Sequence, residues 1–305
     1  MKYTMQHTVE LPKFCDALAV APDGKTLAYT STLPTDRKLR LYDAATLALR
    51  KEVSVGASGL NAVTISPDGK WAVTGAKSHA AYSVVTGKRG VQFAGHKHEI
   101  RSATFAPNGK RYYTASSDNY TPADWSVRAW DAATGAELSR WKCPRQLRAL
   151  GVSPDGKLVA AGDKDGYVTL FDAATGKQRW EVKALGAPDA EAFVVAVAFS
   201  QDSKHVYASA NGPTPCRGVS EISVAKGVVT RTLAPKGEGI MAVSGKLLFI
   251  AHATESALLV VDLKKDAIMA QLETQLGVTG LAVSQDAKTV YVGSYDHLSS
   301  FVRKN

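Results

Sequence analysis

One lysine recurs along this chain in the same local setting. It stands at Lys25, Lys70, Lys110, Lys157, Lys204, Lys246 and Lys288, at intervals of 45, 40, 47, 47, 42 and 42 residues. Four copies close a proline-containing turn: Ala21-Pro22-Asp23-Gly24-Lys25, Ser66-Pro67-Asp68-Gly69-Lys70, Ala106-Pro107-Asn108-Gly109-Lys110 and Ser153-Pro154-Asp155-Gly156-Lys157. Two drift to Ser200-Gln201-Asp202-Ser203-Lys204 and Ser284-Gln285-Asp286-Ala287-Lys288, and the sixth, Val243-Ser244-Gly245-Lys246, is one residue shorter. Proline presets φ and glycine supplies positive φ, so each segment reverses the chain between two strands. A fixed period of this size means stacked copies of one supersecondary unit, none of which buries its apolar face alone.

A second mark follows each turn in the same phase. It reads Tyr42-Asp43-Ala44-Ala45-Thr46, Tyr82-Ser83-Val84-Val85-Thr86-Gly87, Trp130-Asp131-Ala132-Ala133-Thr134-Gly135 and Phe171-Asp172-Ala173-Ala174-Thr175-Gly176, with weaker forms at Ile222 to Gly227 and Val261 to Asp266. Short apolar runs rich in small and β-branched residues precede the turns, for example Ala17-Leu18-Ala19-Val20, Ala62-Val63-Thr64-Ile65 and Val195-Ala196-Val197-Ala198-Phe199. Near-continuous apolar runs are the pattern of strands packed on both faces.

The pattern resembles the WD-repeat (tryptophan–aspartate) family of β-propellers, whose repeat of about 40–45 residues gives four strands per blade. The resemblance covers nearly the whole chain, and residues 94–135 carry the full span from Gly95-His96 to Trp130-Asp131. It implies an all-β fold, a seven-bladed β-propeller of four-stranded antiparallel blades, as a single domain over residues 1–305. The last repeat holds three strand candidates, Val278 to Val283, Thr289 to Gly293 and His297 to Val302. The segment before the first repeat, residues 2–10, is expected to supply the missing outer strand and close the ring, which removes a sheet edge.

The resemblance further implies two sets of residues. His96, Thr114, Asp124 and Trp130 match the family's buried His–Ser/Thr–Asp–Trp network, with Asp118 the rival of Asp124. In such propellers partners meet one flat end. The column four residues before the last apolar residue of each inner strand, Asp16, Asn61, Arg101, Arg148, Val195, Gly239 and Thr279, is then expected to rim the channel mouth. Nearby loops add Lys97, His98, Lys142, Arg145 and the insertion Asp118 to Trp125 with Tyr120. The expected partner-binding set is Asn61, Lys97, Arg101, Tyr120, Trp125, Arg145 and Arg148, because Trp, Tyr and Arg dominate interface hot spots. Arg101 and Arg148 are expected to anchor carboxylates through their planar forks, with Trp125 and Tyr120 as an apolar clamp.

The net charge is +9. Seven turn lysines against five turn aspartates account for little of it, so most lies elsewhere, including Lys88-Arg89, Lys142 to Arg148 and Lys264-Lys265. A basic surface attracts acidic peptides, nucleic acid or anionic membrane. No basic stripe alternates with stacking aromatics, which ranks nucleic acid below an acidic protein segment. The chain lacks Gly-x-Ser-x-Gly, a phosphate-cradling loop before a helix, and His-Glu-x-x-His. Asp163-x-Asp165-Gly166 begins like a calcium loop, but its twelfth position is Ala174 where a bidentate Glu is needed, so a tight turn is expected. His79, His252 and His297 are read as belonging to loops between second and third strands, too far apart to share a metal. Three scattered cysteines form no zinc or disulfide framework. No apolar run approaches about 18 residues, so no membrane span is read. The expectation is a non-catalytic interaction scaffold without cofactor or metal, monomeric and cytoplasmic, or periplasmic or secreted if a leader has been removed. The alternatives are an enzyme or sensor with a small-molecule or metal site at the channel mouth, and a nucleic-acid adaptor.

Overall fold

The computed structural model describes residues 1–304 except 34, 57–59, 117–123, 187–191, 213–216, 234–238, 253–255 and 276. Among the described residues, strands β1 to β28, numbered in chain order, form seven four-stranded antiparallel sheets. The innermost strands are β2 (Ala17–Val20), β6 (Ala62–Ile65), β10 (Ile100–Phe105), β14 (Leu147–Val152), β18 (Phe193–Phe199), β22 (Gly239–Ser244) and β26 (Gly280–Val283). Each packs on the next, and β26 returns to β2. The protein is a closed seven-bladed β-propeller.

Closure uses the chain start. β1 (Tyr3–Glu10) pairs antiparallel with β28 (His297–Arg303), outside β27 (Thr289–Gly293) and β26. Tyr3 Oη donates to the Ala287 carbonyl at 2.7 Å, tying the first strand to the last blade's turn.

Among the described residues the apolar core divides into seven clusters, one at each junction between neighbouring blades. Burial of these faces is the main drive for ring formation, since a single sheet cannot cover both of its own faces. The two repeat marks build this packing. Asp131 Oδ1 accepts from the N–H groups of Ala133 and Thr134 at 3.1 and 2.8 Å and from Thr134 Oγ1 at 2.9 Å, which closes the turn after the third strand. The glycine that follows has positive φ. A Cβ on Gly176 would stand 2.1 Å from Nε1 of Trp141 in the preceding blade, so only glycine admits that indole.

The sequence reading changes for three histidines. His79 is inside strand β8 (Ser78–Ser83), fully buried, and not in a loop. His252 ends strand β23 (Leu247–His252) and His297 opens β28. Strand pairing carries one or two residues further than the turn signals suggest.

Candidate functional site at the channel mouth

The seven column positions Asp16, Asn61, Arg101, Arg148, Val195, Gly239 and Thr279 all line one cavity of about 430 Å³. A deeper cavity of about 220 Å³ continues among inner-strand residues such as Leu18, Val63 and Ala196. The column is thus the rim of the central channel.

Three adjacent blades aim their rim residues by the same device. The pairing of β10 with its neighbour skips Arg101, that of β14 skips Arg148, and that of β18 skips Val195. Each skip is a β-bulge, which bends the strand and redirects the extra side chain. Arg148 lies over the Phe193 ring at 4.7 Å. Loss of surrounding water, and then the neighbouring Arg101, hold its pKa below the ordinary arginine value. Arg101 Nη1 donates to Asn61 Oδ1 at 3.3 Å, and its Nη2 is 3.4 Å from Glu99 Oε2. Across the rim, Asp16 Oδ2 accepts from the Thr32 N–H at 2.7 Å and Thr32 Oγ1 at 2.9 Å. That carboxylate is engaged within its own blade.

The other expected binding residues fall out differently. Arg145 Nε donates to Asp163 Oδ2 at 2.6 Å, its Nη2 pairs with Glu181 at 2.5 Å, and the guanidinium lies 4.2 Å from the Tyr167 ring. It is an internal brace of the fourth blade. Asp163 Oδ1 meanwhile accepts from the N–H groups of Asp165 and Tyr167, so this stretch is a turn closed by an ion pair. Lys97 is exposed, and its backbone N–H donates to Asp124 Oδ2 at 2.7 Å. Trp125 is half-buried, and its carbonyl accepts from the Cys143 N–H. Tyr120 and Asp118 lie outside the described residues.

Beneath the rim, the third blade brings His96, Thr114, Asp124 and Trp130 together. His96 Nδ1 is 3.1 Å from Asp124 Oδ2, His96 Nε2 is 2.7 Å from Thr114 Oγ1, and Trp130 Nε1 is 2.8 Å from the same hydroxyl. Arg128 reaches Asp124 Oδ1 at 2.5 Å and Glu137 at 2.8 Å. Desolvation pushes the Asp124 pKa up, but hydrogen bonds from His96 and Arg128 outweigh it and hold the carboxyl well below its usual range. Burial pushes the His96 pKa down. The first blade repeats the ion pair without the histidine. Arg40 donates to both oxygens of Asp36, at 2.6 and 2.9 Å, and to Glu52 at 2.9 Å. The shared spacing Asp-x-x-x-Arg, at Asp36/Arg40 and Asp124/Arg128, is the signal that would have found this second pair. Among the described residues no cluster of three or more His, Cys, Asp or Glu side chains could hold a metal.

The family described as outer membrane protein assembly factor BamB matches residues 12–272, most of the ring. The chain belongs to that family. Its relatives among curated proteins are WD-repeat proteins, in line with the repeat marks. COMPASS component SWD3 of Saccharomyces cerevisiae is 25% identical over 52% of this chain and 48% of its own length. Actin-interacting protein 1 of Drosophila melanogaster is 24% identical over 92% of this chain and 46% of its own length. An uncharacterized WD repeat-containing protein of Synechocystis, sll1491, is 25% identical over 50% of this chain and 40% of its own length. The chain spans less than half the length of each. The propeller and its WD-type repeats therefore rest on sequence likeness as well as geometry.

Proposed function

We propose that this propeller is a non-catalytic interaction scaffold whose channel mouth captures an acidic segment of another protein. The observation that carries the reading is the pair of bulges that turns Arg101 and Arg148 into one cavity. Two guanidinium groups side by side repel each other, and a carboxylate between them relieves the repulsion. A closed ring holds these side chains before any partner arrives, so little ordering entropy is spent on binding. Names such as COMPASS component and actin-interacting protein describe relatives that assemble with other proteins, which supports the class of role.

The test is capture of a glutamate-rich peptide by the wild type and by R101E/R148E. Binding is expected to fall by at least tenfold in the variant with an unchanged melting temperature. Equal capture by both proteins sinks the assignment. A second reading has support from the cavity itself, whose volume of about 430 Å³ is within the range of small-molecule sites. A small dicarboxylate that raises the melting temperature, where the peptide does not, favours it.

A further inference from the structure

We infer that the turn face of the propeller holds a second site, a cleft between the second and third blades that receives an aromatic side chain with a polar hydrogen, tryptophan or tyrosine, presented by a peptide of another protein. The cleft has a volume of about 470 Å³ and is lined by Trp71, Val91, Phe93, Phe105, Pro107 and Ala132 among others. Its occupant is read from what the protein itself places in the equivalent clefts.

Ala132, Ala173, Val224 and Leu263 share one repeat position. Each donates its backbone N–H to the carbonyl of its blade's turn lysine, at 2.9–3.0 Å. At three junctions the preceding blade sends a donor to the carbonyl of this residue. The Ala173 carbonyl accepts from Tyr113 Oη at 3.4 Å and from the Arg111 guanidinium. The Val224 carbonyl accepts from the Trp180 indole N–H at 2.8 Å. The Leu263 carbonyl accepts from Arg231.

At the junction of blades two and three the corresponding residues differ. Val73 stands in the place of Tyr113, paired with Ala81 across the sheet as Tyr113 is with Ala129. Val91 stands in the place of Trp180. Neither valine carries a ring or a donor toward Ala132. Among the described residues, the buried apolar cluster at this junction is also the smallest of the seven. Trp71 replaces Arg111 and lies against Gly90, where a Cβ would come within 2.6 Å of its ring, so the indole forms the outer wall. The equivalent cleft between blades three and four, with Tyr113 and Arg111 in place, keeps about 370 Å³ against about 470 Å³ here. An aromatic ring entering here takes the place that Tyr113 or Trp180 holds elsewhere, and its N–H or O–H reaches the Ala132 carbonyl. Buried Trp and Tyr need that partner for their polar end.

The experiment is saturation-transfer NMR on the whole chain with N-acetyl-tryptophanamide, N-acetyl-tyrosinamide, N-acetyl-phenylalaninamide and free tryptophan as probes. The two blocked amides with a ring donor are expected to bind, and the phenylalanine amide at least fivefold more weakly. V73Y builds the ring of the next cleft into this one and is expected to reduce binding at least tenfold. If V73Y fails to fold, W71R decides, because it places the guanidinium of the next cleft at the same carbonyl and is expected to displace the probe equally. No transfer from any blocked amide, or equal transfer with W71R, overturns the site. Equal binding of the phenylalanine amide overturns the Ala132 contact. Free tryptophan binding tenfold tighter than its blocked form overturns the peptide as the source. Loss of the mouth in R101E/R148E leaves this readout unchanged, so the two faces are judged separately.

Discussion

The Trp130 indole donates to Thr114 Oγ1, and the acceptor-only Asp124 carboxylate at the other end sets the direction of every proton in the third blade's network. A carboxylate only accepts, so the neutral His96 carries its proton on Nδ1 and donates it to Asp124. Its bare Nε2 then accepts from the Thr114 hydroxyl, which in turn accepts the indole N–H. The chain of donors runs one way from the buried Trp130 to Asp124, and each member is satisfied.

Removing a member breaks the whole sequence. His96→Ala and Thr114→Val are each expected to destabilise the ring by about 1–3 kcal/mol, the cost of leaving a buried donor or acceptor bare. Urea unfolding checks this, and two variants with wild-type midpoints refute it.

Closure of the ring depends on the first strand. Deleting residues 1–10 removes β1, exposes the edge of β28 and frees Ala287 from Tyr3. The melting temperature is expected to drop by several degrees or more, with new aggregation from the open edge. A truncated protein that melts as the full chain does would mean that the last blade is stable with three strands.

The Asp36–Arg40 pair is buried on both sides, each side chain 3% exposed. Asp36→Asn leaves a guanidinium with half its partners and is expected to cost about 3–5 kcal/mol. The double variant D36L/R40M removes both buried charges, leaves Glu52 paired with Lys38, and is expected to recover most of that loss. Thermal melts of the wild type and the two variants rank them, and a double variant no more stable than the single one refutes the account.

Arg145 and Arg148 are three residues apart and have opposite assignments. Arg145→Ala unpairs Asp163 and Glu181, so stability is expected to fall by about 1–3 kcal/mol while peptide capture survives. Arg148→Ala is expected to weaken capture and leave the melting temperature nearly unchanged. A swapped result would place the binding contact in the wrong residue.

Acid sensitivity follows from His79. Burial, and then the nearby His96, push its pKa down to about 3, and its Nδ1 bonds the Tyr112 hydroxyl. The unfolded chain takes up this proton near pH 6.5, the folded chain only near pH 3, so stability falls as pH drops below about 6.5. The loss from this one group is about 2 kcal/mol at pH 5. His79→Phe is expected to flatten the decline of melting temperature between about pH 6.5 and 5, and an unchanged slope refutes the account.

Much of the ring was legible because its turns are local chemistry. Pro67-Asp68-Gly69 or Asp131 to Gly135 bends the chain whatever surrounds it, and seven such marks in one phase admit one architecture. The closing role of residues 3–10 could also be read, since a blade short of one strand needs an edge partner. The rim was half legible. Spacing placed Arg101 and Arg148 in one column, but the bulges that aim them arise from pairing with a neighbouring strand. Arg145 looked no different from Arg148, and only the positions of Asp163, Glu181 and Tyr167 in space turn it into a brace. His79 looked like a loop residue because no local signal marks where a ladder stops.

Repeat phase, turn chemistry and apolar runs determined the number of blades, their strand order and the junction of the two chain ends, because each depends on residues within a few positions of one another. Which charges stay available at the channel mouth, which are consumed by ion pairs, and which junction keeps a roomier cleft were decided by tertiary structure alone. Those outcomes depend on side chains far apart in the chain meeting across blades, and whether a valine or a tyrosine faces a given carbonyl has no local trace.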